Sequence, residues 1–119
     1  MATRGFVRTQ VSGRVHRFVW LGLGNGDDGE PISIPGAADM TFQAFGTFGA
    51  AGEIRMEGTC RETAATFFQM RDGGDNVISF DSADGEMLAQ MVAFIRPRVT
   101  AGDVTTDLTA ILLARSTMK

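Results

Sequence analysis

The sequence has few of the side chains that enzymes and metal sites rely on. Its 119 residues include one cysteine, Cys60, one histidine, His16, one tryptophan, Trp20, and no tyrosine. A single cysteine excludes an intrachain disulfide, and one histidine with one cysteine is too small a ligand set for zinc. A Ser-His-Asp triad would need His16 as its base, and no serine lies in a nucleophile-elbow sequence. We therefore expect Cys60 to be a turn or half-buried thiol and His16 to pair across a sheet.

Long apolar runs and basic stretches are also missing. No apolar run approaches the roughly 20 residues that span a bilayer, and the first residues lack the apolar core of a signal peptide. The net charge is −3, and no stretch of lysine and arginine could grip nucleic-acid phosphates. The sequence therefore predicts a protein made in a cytosol, with neither nucleic acid nor a membrane as its partner.

One glycine-rich segment imitates a nucleotide-binding motif. Gly24–Gly29 fits the pattern G-x-G-x-x-G, but the nucleotide-binding version needs a helix directly behind the loop to face the phosphates. Glu30–Pro35 cannot start such a helix, so we expect a hairpin loop and no cofactor. The same loop offers oxygen ligands at spacings unlike those of an EF-hand, which leaves Ca²⁺ open while favouring a solvated acidic turn without metal. These ligands are Asn25, Asp27, Asp28 and Glu30.

Paired carboxylates would be needed for glycoside hydrolysis. The candidates are Asp39, Glu53 and Glu57, and each occupies the polar side of an alternating segment. We expect them to face solvent, which argues against a shielded catalytic pair, so the sequence predicts that the chain is not an enzyme. The lack of tyrosine weakens sugar binding as well, because sugars usually stack on tyrosine and tryptophan.

What the sequence has in abundance is glycine and alternation of period two. Its 15 glycines cluster between short segments in which apolar and polar residues alternate, a pattern typical of strands separated by tight turns. We predict one all-β domain over residues 1–119, a β-sandwich or jelly roll of about eight short strands. Residues 1–5 should form a flexible arm and residues 116–119 a frayed tail. Asp84–Met91 alone predicts a short helical turn, since Met87, Leu88 and Met91 are spaced to share a face.

Two features could serve an interface. Nine phenylalanines and seven methionines exceed what one inner face requires, so either the core is unusually aromatic or apolar surface meets a partner. Arg96-Pro97-Arg98 lies within a strand signal, and proline there predicts an edge strand or a bulge. The two arginines either protect that edge by charge or pair with carboxylates of a partner.

Five segments form a recognisable series along the chain, and they are Asp27–Ile32, Phe45–Gly52, Met56–Gly58, Ile95–Asp103 and Thr105–Leu113. Taken in this order, they resemble small structural proteins of tailed bacteriophages that decorate or cement the head. The resemblance runs from about residue 14 to 115, and one departure is Thr59–Phe67, which replaces a Ser-Asn-Asp-Gly type turn and an Asn-Trp pair. The conformation of the loop over residues 59–66 therefore cannot be carried over.

The resemblance implies a decoration protein on the outer surface of the phage capsid that clamps neighbouring major capsid subunits and forms a homodimer or homotrimer. We expect Arg4, Phe6 and Arg8 of the N-terminal segment, together with Arg96 and Arg98, to make capsid or subunit contacts. The alternative is a β-sandwich module of a phage tail or baseplate that binds a host glycan.

Overall fold

The computed structural model describes residues 2–33, 37–88 and 90–116, and within these ranges it is built from strands and turns without a helix. The twelve strands form two sheets, which confirms the all-β sandwich; five of the strands have only two residues, so seven are longer. The strands are β1 (Thr3–Arg4), β2 (Phe6–Ser12), β3 (Val15–Leu23), β4 (Asp28–Gly29), β5 (Ile32–Ser33), β6 (Ala37–Thr47), β7 (Glu53–Thr59), β8 (Phe68–Gln69), β9 (Ser79–Phe80), β10 (Asp84–Leu88), β11 (Phe94–Ala101) and β12 (Asp107–Ser116).

The two sheets differ in regularity. The five-stranded sheet has the order β10-β6-β12-β3-β2, and all its neighbours are antiparallel. The seven-stranded sheet has the order β1-β4-β11-β7-β8, with β5 also paired to β11 and β9 to β7. Long regular strands therefore build one layer, and short strands arranged around β7 and β11 build the other.

Alternation along the strands places one side chain of every two between the sheets. Phe42 on β6 and Leu112 on β12 face Ile54 and Met56 on β7, and all four are fully buried. The ring of Phe42 stacks on Phe80 with centroids 5.5 Å apart. The alternation in the sequence thus supplies a single core shared by both sheets.

Trp20 joins the two sheets at one end of this core. It is fully buried, and its indole Nε1 donates to the carbonyl oxygen of Glu30 at 3.1 Å. A Cβ atom on Gly29 would come within 2.7 Å of Trp20 Cδ1 and 2.6 Å of Pro97 Cδ. Glycine is therefore required here, because any side chain would separate β4 from the tryptophan and the proline.

The helical turn predicted over Asp84–Met91 is wrong. Asp84–Leu88 forms β10 and pairs with β6 along its whole length. Leu88 is buried while Met87 is exposed, so the two side chains alternate as in a strand instead of sharing a helical face. The ladder with β6 overrides the weak local spacing, and Gly85 gives a helix little support.

The edge position predicted for Pro97 is also wrong, because β11 has neighbours on both sides. Val99 N donates to Asp27 O, and the backbone of Pro97, two residues earlier, faces the same side. That side is covered by β5 opposite Ile95 and by β4 opposite Arg98. Pro97 falls between these two short pairings, where no ladder donor is needed.

The N-terminal segment predicted as a flexible arm is paired over Thr3–Arg4, which forms β1 and runs parallel to β4. At the other end, Ser116 is the last residue of β12, and the rest of the predicted tail lies outside the described residues.

Phe42 and Phe45 lie on opposite faces of β6 and allow a matched test of the core. We expect Phe42→Ala to lower the free energy of unfolding by about 3–5 kcal/mol, because it empties a closely packed site. Phe45 is 39% exposed, and Phe45→Ala should cost less than about 1 kcal/mol. Urea unfolding followed by tryptophan fluorescence measures both, and equal losses would contradict the assigned faces.

Candidate interaction surfaces

The outer face of the five-stranded sheet carries exposed apolar side chains between polar ones. Of the ten large hydrophobic side chains exposed among the described residues, six lie on strands of this sheet. Leu21, for example, is 61% exposed and follows the buried Trp20, and Met87 is 61% exposed and precedes the buried Leu88. We call this surface the apolar face and define it by its side chains, which are Val7, Val19, Leu21, Phe45, Met87, Ile111 and Leu113.

The register shows that these side chains are neighbours. Ile111 pairs with Val19, and Val19 pairs with Val7, so three apolar residues cross three adjacent strands. In the next row Leu113 pairs with Arg17, and a shallow pocket lies between them. Arg17 has no carboxylate within 4 Å in the described part of the chain.

The outer face of the seven-stranded sheet has the opposite character. Arg55 on β7 and Arg96 and Arg98 on β11 point outward beside Glu57, and Asp28 on β4 completes the group. These five residues are called the arginine face. They come together because β4, β11 and β7 are adjacent and their outward positions are in register.

Glu57 is the centre of the arginine face and is only 2% exposed. Arg55 Nε donates to its Oε2 at 2.8 Å, and Arg96 donates to its Oε1 through Nε at 3.0 Å and Nη2 at 2.9 Å. Arg96 Nη1 also reaches Asp28 Oδ2 at 3.3 Å. Paired, hydrogen-bonded burial of this kind is the form in which a carboxylate is tolerated away from water.

Glu57 was expected to face solvent with Glu53, and that expectation is wrong for Glu57. Its side chain does point away from the core, as the alternation of β7 predicts, but the arginines cover it. Sequence reasoning missed this because Arg96, which pairs with the second oxygen of Glu57, comes from β11, 39 positions away. Thr100 Oγ1 donates to the half-buried Glu53 at 2.7 Å.

The two arginines of Arg96-Pro97-Arg98 have different surroundings. The guanidinium carbon of Arg96 lies 4.0 Å from the ring centroid of Phe67, which caps it. Phe67 directly follows the loop over residues 59–66, whose conformation the resemblance could not supply. The side chain of Arg98 is 40% exposed, and its Nη1 lies 3.9 Å from Glu57 Oε2, too far for a hydrogen bond.

The N-terminal candidates have partners within the chain. Arg4 Nε donates to Asp27 Oδ2 at 3.1 Å. Phe6 packs edge-to-face on Phe18 and Trp20, with centroids 5.7 and 6.1 Å away. Arg8 lies over the ring of Phe18 at 5.9 Å, and its Nη2 is 3.4 Å from His16 Nδ1. Of the four arginines among the predicted contact residues, Arg8 and Arg98 are thus those without a carboxylate in hydrogen-bond range in the described structure.

The acidic loop uses Asp27 as an anchor for the N-terminal strand. Asp27 is 5% exposed and accepts from the backbone nitrogens of Ala2 at 2.8 Å and Gly24 at 2.9 Å as well as from Arg4. Burial raises the pKa of this carboxyl, but the hydrogen bonds from Gly24, Ala2 and Arg4 outweigh it and lower the pKa below 3.8. No group of three or more metal-binding side chains occurs in residues 2–33, 37–88 and 90–116.

Cys60 is exposed, with Sγ 3.9 Å from the carbonyl oxygen of Met91. His16 is half-buried beside Arg8. On β3 it lies opposite Gln10 of β2, so it pairs across the sheet as expected. Within the described ranges, no helix is long and apolar enough to cross a membrane.

A pair of carboxyl groups that the sequence did not reveal joins the turn at Asp72 to β10. The hydrogen bond between Glu86 and Asp72, burial, and the charges of Asp72 and Asp84 raise the pKa of Glu86 to about 7. The same hydrogen bond lowers the pKa of Asp72. The protonated carboxyl of Glu86 is the form that can donate to the Asp72 carboxylate, because two ionised carboxylates have no proton for a hydrogen bond.

Replacement of Asp27 should release the N-terminal strand. In Asp27→Ala, the amides of Asp28 and Glu30, which donate to Ala2 O and Arg4 O, should exchange with solvent about tenfold faster or more, since the lost bonds involve a charged acceptor. Hydrogen exchange measured by NMR checks this, with Asp39→Ala on the exposed end of β6 as the control. Unchanged exchange at Asp28 and Glu30 would show that the strand is held by other contacts.

Glu86 should make the stability of the protein depend on pH. Its pKa in the fold, about 7, is above its ordinary 4.5, so its contribution is complete below that ordinary value and is lost as the pH rises through the folded pKa. Glu86→Gln cannot ionise and should unfold with a smaller loss of stability between about pH 5 and pH 8. Urea unfolding at several pH values tests this, with Glu62→Gln on the exposed loop as control; identical pH profiles for wild type and Glu86→Gln would contradict it.

Comparison with known proteins shows similarity in fold. No protein-family model matches the chain, and no curated protein matches its sequence. The chain is similar to the crystal structure of the SPBc2 prophage-derived protein YomS, with a TM-score of 0.62 and 13% identity over 91% of this chain and 100% of that one. It is less similar to FeII HppE, with a TM-score of 0.43 and 13% identity over 91% of this chain and 46% of that one. A carbohydrate-binding module from Cellvibrio mixtus lichenase 5A reaches a TM-score of 0.33 at 11% identity, over 96% of this chain and 86% of that one. The last two scores are too low to bear on function, and the shared fold with YomS is that of a small β-sandwich.

Proposed function

We propose that the chain is a bacteriophage decoration protein that binds the outer surface of the head and bridges neighbouring major capsid subunits. The sequence segments that resemble such proteins support it, as does the fold shared along the whole length of a prophage-derived protein. The observation that carries the proposal is the apolar face. It places exposed leucine, valine, methionine and phenylalanine side chains on one side of a rigid, fully paired sheet.

The apolar face fits a large, pre-assembled partner. Burial of apolar surface contributes about 25 cal/mol per Å², and a rigid sheet loses little conformational freedom when it binds. A monomer in water gains nothing from several exposed apolar side chains on one face, and such patches commonly mark binding sites. Val7, Leu21 and Met87 are each about 60% exposed and would contribute most of the buried area.

Arg17 sets a condition on the partner of the apolar face. It lies beside Leu113 without a carboxylate partner in the described residues. Burial of an unpaired guanidinium group is costly, so we expect the capsid surface to offer a carboxylate opposite Arg17. Self-association into a dimer or trimer would then use another surface.

Binding to heads tests the function. Heads prepared from a phage that lacks the gene should bind the purified protein in a co-sedimentation assay, at a fixed number of copies per capsid subunit. Leu21→Glu should weaken binding at least about tenfold, because it buries a charge at the interface. Val104→Glu is the matched control, since Val104 is fully exposed in the loop between β11 and β12 and is not one of the side chains of the apolar face, and it should bind like the wild type.

Three results would count against the proposal. If the protein stays in the supernatant while intact heads sediment, capsid binding is contradicted. If Leu21→Glu binds heads as tightly as the wild type, the role of the apolar face is contradicted. Labelled antibody that marks tails instead of heads on whole virions would favour the glycan-binding alternative. Light scattering of the purified protein measures whether it is a dimer or trimer before it meets the head.

A further inference from the structure

The geometry points to a second binding site on the opposite side of the molecule, where Arg55 and Arg98 together bind the carboxylate of an aspartate or glutamate side chain of a partner protein. The site lies on the arginine face and is independent of capsid binding. Three features define it, which are the register of two strands, the hydrogen bonds of Glu57 and the exposure of the two guanidinium groups.

Arg55 and Arg98 are forced together by strand register. They are directly opposite each other on β7 and β11, a position in which two like charges repel. Glu57 Oε2 lies between them and accepts from Arg55 at 2.8 Å, but Arg98 remains at 3.9 Å. The other oxygen of Glu57 is already occupied by Arg96. One buried carboxylate oxygen therefore serves two guanidinium groups, and it satisfies only one of them.

Unused donors face solvent at this point. A guanidinium group carries five N–H donors, and Arg98 donates no hydrogen bond to the described part of the protein. Arg55 uses Nε and Nη2 on Glu57, and its side chain is still 28% exposed. The planar guanidinium groups of Arg55 and Arg98, opposite each other on neighbouring strands, can each donate to one of the two oxygens of a carboxylate.

The surrounding residues make the site rigid and set its preference. Arg96 is held by Glu57 and Asp28 and capped by Phe67. It therefore fixes the position of Glu57 and is not itself a ligand of the bound carboxylate. Glu53 lies two residues from Arg55 on the same strand and accepts from Thr100. Three arginines stand against three carboxylates here, so the region has no net charge, which favours a singly charged carboxylate over a phosphate dianion. Rigid placement also reduces the entropy lost on binding.

An NMR titration tests the site directly. The probe is blocked glutamate, with an acetylated amine and an amidated carboxyl terminus, and blocked glutamine is its uncharged control. We expect saturable shifts of the Nε–Hε signals of Arg55 and Arg98 with blocked glutamate, and smaller shifts at Arg17 on the other sheet. Arg98→Gln should weaken binding about tenfold or more, whereas Glu53→Gln should tighten it by removing a competing carboxylate.

Shifts at Arg55 and Arg98 no larger than those at Arg17, or equal affinity in wild type and Arg98→Gln, would overturn the proposal. Tighter binding of inorganic phosphate than of blocked glutamate would overturn the carboxylate assignment. The side chain of Arg98 is 40% exposed and makes no hydrogen bond within the described protein, so Arg98→Gln should keep the amide spectrum of the folded protein. Failure of the protein to bind heads would not affect this titration.

Discussion

Trp20 meets Gly29 and Pro97 in a close contact that positions β4 and the residues around it. It joins the five-stranded sheet to the seven-stranded sheet where the backbone of β4 lies against the indole and the proline ring. That position of β4 puts Asp27 where it anchors the first residues and Asp28 where it reaches Arg96. A single close approach, allowed by a glycine, thus sets both the N-terminal strand and the arginine face.

The sandwich has two outer faces of contrasting chemistry. One has long antiparallel strands and carries most of the exposed large apolar side chains, with Arg17 beside Leu113. The other carries a network of arginine and carboxylate side chains around a buried glutamate, Glu57. A protein that bridges two neighbours needs two separate surfaces, and different chemistry on each prevents one neighbour from occupying both. Many modest contacts repeated over a symmetric lattice would then give tight overall attachment.

The sequence predicts the fold class well because alternation of period two is a local signal, as in Ile54 and Met56 pointing inward on β7. It fails where distant strands decide the outcome. The ladder with β6 turns Asp84–Leu88 into a strand, and the gap between β4 and β5 lets Pro97 lie inside a sheet. The candidate site was only half predictable for the same reason, since the flanking arginines are visible in the sequence and the burial of Glu57 beneath them is not.

Cryo-electron microscopy of intact heads would show both whether the protein is present and which face it uses. We expect a two-layered sandwich on the outer surface of the shell, with the face that carries Leu21 and Leu113 against the major capsid protein. The face that carries Arg98 should point away from that protein or towards a neighbouring subunit. Heads without density beyond the shell, or a sandwich attached through the surface around Glu57 with Leu21 exposed to solvent, would contradict capsid binding through the apolar face.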